Sequence, residues 1–107
     1  MPYVVVTGWY PTDIEKEITP KYLEMVKQYP FDRSLGKETI PVAISTNKKG
    51  VKALAVMDVK EGKLQDALNW ASKRMVFLQS IKGWEYKIRV WSTIGEALEL
   101  TGVSSPG

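Results

Sequence analysis

The sequence predicts an α+β domain in the order βαββαβ, with a four-stranded antiparallel sheet carrying both helices on one face. Three observations carry this reading. Four short segments are rich in β-branched and aromatic residues. A polar turn, Asn47-Lys48-Lys49-Gly50, joins the middle two as a hairpin. Two stretches with helical spacing flank that hairpin. The length of 107 residues suits one domain, expected over 1–102, with 103–107 a frayed tail.

The first strand is expected over Tyr3 to Tyr10. Val4-Val5-Val6 is continuous and β-branched, as in a central strand covered on both faces. Pro11 ends it. Thr12-x-x-Glu15 has the spacing of a capping box and opens a helix. Thr19-Pro20 has the form of a second N-cap, so the helix is expected to restart or kink there. Tyr22, Met25, Val26 and Tyr29 share one side of it, with Leu23 beside Val26, and Pro30 closes it. A loop fills 30–38.

The second strand is expected over Thr39 to Thr46, with Ile40, Val42 and Ile44 on one face. Pro41 places it at a sheet edge, because proline cannot donate to a ladder. The third strand, Val51 to Val59, has Val51, Ala53, Ala55, Met57 and Val59 on one face and Leu54 and Val56 on the other. Lys63 to Lys82 is the strongest helical stretch. Leu64, Ala67, Leu68, Ala71, Met75 and Leu78 form its core stripe, and Gly83 ends it. The fourth strand, Trp84 to Ser92, alternates: Trp84, Tyr86, Ile88 and Val90 face one way; Glu85, Lys87, Arg89 and Trp91 face the other. Thr93-x-x-Glu96 opens a short helix that Gly102 terminates. Right-handed crossovers then give the sheet order 4-1-3-2.

This order of elements, the strands apolar on both sides and the short helix after the fourth strand resemble the ferredoxin-like dimeric α/β-barrel superfamily over residues 3 to 100. The resemblance implies a homodimer in which two sheets pack face to face. No motif diagnostic of an activity accompanies it, and the fold alone licenses none.

Composition narrows the chemistry. Without cysteine or histidine, disulfides, thiol chemistry, Cys/His zinc sites and Ser-His-Asp machinery are all excluded. No cofactor and no metal are expected. No apolar run has the length of a membrane span. The first residues lack the basic region and cleavage site of a signal peptide, so a cytoplasmic location is expected. The net charge of +3, with a sequence pI of about 9.1, inclines the surface toward anions.

Seven residues are candidates for ligand binding. On the polar face of the fourth strand, Arg89 and Trp91 stand with Lys87, and the neighbouring first strand offers Thr7 and Trp9. An arginine beside indoles and a hydroxyl suits a carboxylate or phosphate. The competing use is a solvated or dimer-facing strand. Trp70 and Arg74 begin a second stripe on the long helix, continued by Phe77 and Ile81, which either lines a cavity or packs. Tyr22 could orient a polar ligand beside the corner Trp9-Tyr10-Pro11. Asp58 is the leading carboxylate for acid–base work, with Lys60 as its expected ion-pair partner. The βαββαβ order also occurs in RNA-recognition domains, which display rings on the central strands. Here the third strand has aliphatic residues instead, so nucleic acid is an unfavoured partner. The leading functional expectation is a non-catalytic binding or structural module for a small anionic or aromatic molecule. The alternative is a cofactor-independent enzyme of the monooxygenase or isomerase kind, as in some members of the resembled superfamily.

Overall fold

Each strand pairs antiparallel with its neighbours in a computed structural model of the chain, which describes residues 1–102. The tail expected at 103–107 lies outside the described residues. The elements are β1 (Tyr3–Tyr10), α1 (Glu15–Gln28), β2 (Gly36–Asn47), β3 (Gly50–Val59), α2 (Leu64–Leu78), β4 (Glu85–Trp91) and α3 (Ile94–Glu99). The sheet order is β2-β3-β1-β4, the expected order read from the opposite edge. This is an α+β architecture that fits a ferredoxin-like domain.

The pairing separates two faces. Val4, Val6, Gly8 and Tyr10 alternate with Tyr3, Val5, Thr7 and Trp9, and each set has its own partners on β3 and β4. The first set faces both helices. Val4, Met57 and Val59 pack with Ala67 and Ala71 of α2. Tyr10, Trp84 and Tyr86 pack with Ile18 and Met25 of α1 and with Met75 and Leu78 of α2. No helix of the described residues is long and apolar enough to cross a membrane.

Local expectations fared unevenly. The spacing T-x-x-E occurs twice and caps once. Thr93 accepts from the Glu96 backbone N–H at 3.2 Å, and Glu96 accepts from the Thr93 N–H at 2.8 Å. That backbone donor holds the Glu96 carboxyl below its usual pKa. Thr12 caps nothing, because Thr12–Ile14 forms a 3-10 turn and α1 begins only at Glu15. Nor does the helix restart at Thr19-Pro20. Pro20 sits inside α1 and is exposed, as is Lys16 one turn earlier, so the carbonyl that loses its donor can take water instead. Helix α2 ends at Leu78 rather than Lys82. Single turns closed by Ile81 N–H to Leu78 O and Trp84 N–H to Ile81 O follow, before Gly83 (φ +94°) leads into β4.

The largest unforeseen feature is in β2. It begins at Gly36, three residues before the expected Thr39, and carries register breaks between Glu38 and Ile40 and between Ile40 and Ala43. One inserted residue would turn the remaining strand inside out; two restore its alternation. Glu38 opposite Met57 and Ile44 opposite Ala53 therefore both return to the helix side. Pro41 lies between the breaks, on an edge strand as expected.

Candidate functional site

A cavity of about 320 Å³ lies between the helices and the sheet. Its origin is visible in the residue sizes. Gly8, Ala53 and Ala55 supply much of the sheet floor and Ala71 part of the helix roof, so side-chain volume is missing where the layers face each other. Val4, Val6 and Met57 complete the floor. Ile18, Tyr22 and Met25 form the α1 wall, and Trp70, Arg74, Met75 and Leu78 the α2 wall. Glu15, Thr19, Pro41, Val42 and Ile44 also line it and are exposed, which sets the mouth between the start of α1 and β2. Ile40, Val42 and Ile44 all line this space, but not as one strand face: the register breaks set Ile40 opposite Val56 and Ile44 opposite Ala53, which belong to different faces of β3.

Arg74 is the buried charged residue of the described chain, at 9% exposure. Its Nε donates to the Tyr29 carbonyl at 2.8 Å, and the guanidinium stacks 4.3 Å from the Trp70 ring. Trp70 is held in turn by Nε1 donating to the Pro30 carbonyl at 3.0 Å and by the edge of Phe31. Burial pulls the Arg74 guanidinium below its ordinary pKa, and the neighbouring Tyr22 and Glu38 pull it back up. Among the described residues no carboxylate comes within ion-pair distance of it. At the far end Trp84 closes the cavity beside Tyr10, with ring centroids 6.1 Å apart. Burial, and then the Glu15 carboxylate, raise the Tyr10 phenol above its ordinary pKa.

The structure divides the seven candidate residues. Tyr22, Trp70 and Arg74 converge on the cavity. Phe77 and Ile81, from the same stripe, pack instead: Phe77 meets the Tyr29 ring edge-on and Ile81 is buried against α1. Thr7, Trp9, Arg89 and Trp91 lie on the opposite face of the sheet. There the pairing places Thr7 beside Lys87, Trp9 beside Glu85, and Arg89 beside Val5. The register thus sets Arg89 diagonal to Thr7, next to Trp91 on its own strand, and apart from Trp9. Arg89 is exposed and its Nη1 donates to the Ile88 carbonyl. Trp91 stands at a corner of the sheet opposite Tyr3, not near the middle of that face. The middle belongs to Val5, Thr7, Leu54 and Val56. Asp58 and Lys60 form no ion pair, and Asp58 Oδ1 is buried without a hydrogen-bond partner. On this face β3 presents Lys52, Leu54, Val56 and Asp58, with no ring for a base to stack upon.

Sequence reasoning missed Gly8, Ile18 and Glu38 as parts of the site. Ile18 precedes the Thr19-Pro20 step and reads as helical only once the helix is continuous. Glu38 falls in the expected loop. Gly8 carries no signal except its presence inside a strand, which marks a close approach.

No protein-family model matches the sequence, and no curated protein matches it. Two solved structures are similar. The de novo designed protein Foldit4 has a TM-score of 0.56 at 12% identity, over 87% of this chain and 99% of that one. A NIPSNAP family protein of unknown function from Agrobacterium tumefaciens strain C58 has a TM-score of 0.41 at 15% identity, over 87% and 90%. Likeness to the designed chain bears on fold alone.

Proposed function

We propose that this domain binds a small, largely apolar molecule in the cavity between its helices and its sheet. The cavity itself carries the reading: it has the size of a small-molecule site, an apolar lining and a few convergent polar groups. Binding is favoured over cofactor-independent catalysis because the lining has no histidine to move protons and, of its two carboxylates, Glu15 is exposed at the mouth and Glu38 acts on the charge of Arg74. A thermal-shift screen against aliphatic and aromatic acids, alcohols and phosphates tests this. A ligand at ten times its Kd should raise the Tm by roughly 5–10 °C. Ala55→Phe, which projects a ring into the floor, should abolish that shift while the domain stays folded. If no compound of the screen shifts the unmodified protein, the binding reading is wrong.

The protein is further proposed to act as a homodimer of the dimeric α/β-barrel kind, joined through the sheet face opposite the helices. Val5, Leu54 and Val56 form an apolar centre there, and Asp58, Glu85, Lys52, Lys87 and Arg89 surround it with both signs of charge. A surface of that composition suits a two-fold contact with itself. Val56→Asp should split the dimer by leaving a buried carboxylate unpaired. Light scattering across a dilution series decides it: a monomer mass for the unmodified protein at micromolar concentration, or a Val56→Asp variant that remains dimeric, would count against the interface.

A further inference from the structure

We infer that Arg74 is an anion anchor and that the cavity takes a monocarboxylate with an apolar tail of about seven to ten carbons. The inference rests on the binding reading above and adds the charge and length of the ligand. A guanidinium has five N–H donors in a planar fork. Among the described residues, only the Nε of Arg74 makes a hydrogen bond, to a backbone carbonyl, and no carboxylate pairs with the charge. The two terminal nitrogens have no partner among the described residues and are not sealed from water, so a ligand can reach them. Here the residue lines the cavity, its plane is set by stacking on Trp70, and Trp70 is itself fixed by a hydrogen bond. The terminal nitrogens are thus held on a rigid support beside an apolar space. A planar fork matches the two oxygens of a carboxylate.

Charge and volume then define the rest of the ligand. Glu38 also lines the cavity and acts electrostatically on Arg74 from β2, so a second carboxylate on the ligand would lose its hydration with no cation left to pair it. The volume holds about ten groups of the size of water or methylene, at ~30 Å³ each. Val4, Met25, Met75 and Leu78 offer the tail a flexible, thioether-rich lining.

Isothermal titration with octanoate and octanol, and with 2-naphthoate and 2-naphthalenemethanol, tests the inference. In each pair the acid should bind about tenfold or more tightly than the alcohol. The two pairs separate an aliphatic from an aromatic tail. Arg74→Gln should remove the preference, bringing the affinity for the acid down to that for the alcohol. Glu38→Gln should strengthen acid binding alone, and it keeps the test open if the Arg74 variant does not fold. Acid and alcohol binding equally to the unmodified protein would refute the anchor while leaving the binding site in place. Retention of the preference by Arg74→Gln would also refute it. Binding of none of the four would overturn both readings.

Discussion

Gly8→Ala should destabilise the domain by about 1–3 kcal/mol, the usual range for overpacking, and Trp84→Leu in the same chain should recover most of that loss. A Cβ on residue 8 would lie 2.1 Å from Cη2 of Trp84 and 2.8 Å from Cζ2 and Cζ3. The indole is a rigid bicycle, so it cannot bend a terminal atom aside. It must rotate as a whole, and Tyr10 stands against it. In most strands the opposite result is expected, since replacing glycine restricts the unfolded chain and stabilises by roughly 0.4–1 kcal/mol. The sign of the change therefore isolates the steric contact. Urea unfolding of the two single variants and the double gives the coupling directly. Additive effects, with no recovery in the double variant, would mean that the indole is not the obstacle.

Leu78→Ala should cost about 2–5 kcal/mol, as burial-dependent truncations do, and Leu68→Ala distinctly less. Both residues belong to the same sequence stripe on α2. Leu78 is 1% exposed and touches α1, the sheet side and the cavity, whereas Leu68 is only partly buried at the edge of the other core cluster. Chemical denaturation of both variants tests the order. Equal losses would place Leu68 in the core on a par with Leu78.

The ordering of those two leucines shows where sequence reading stops. Periodicity tells which side of α2 faces inward, and it does so correctly for Ala67, Ala71, Met75 and Leu78. It cannot rank depth along the stripe, because depth depends on what lies opposite. The strands show the same boundary. In β4 strict alternation reveals the inward set Tyr86 and Ile88, since a single side of that strand is covered. In β2 the paired register breaks leave no local mark except Pro41. The cavity was only half legible. Trp70 and Arg74 stand out as a second stripe, but the missing volume that makes them useful comes from Gly8, Ala53, Ala55 and Ala71. Small residues scattered over three elements acquire meaning only when the pairing of strands brings them together. The open face was partly legible for the same reason: Thr7, Trp9, Arg89 and Trp91 share a side, yet only the register shows that Arg89 pairs with Val5 and stands apart from the first-strand indole.

The interrupted β2 strand has a bearing on how the protein resists aggregation. An exposed, twelve-residue border strand with apolar side chains such as Val42 and Ile44 would ordinarily be a template on which foreign strands could zip. Here the strand's pairing with β3 is broken twice near its middle, and at Pro41 a backbone donor is missing altogether. An incoming strand would find only short, mismatched runs on either side of the interruption. The other border, β4, is short and carries Lys87 and Arg89. Growth by adding strands at the rim is thus disfavoured at both ends by different means: broken spacing at one, brevity and positive charge at the other.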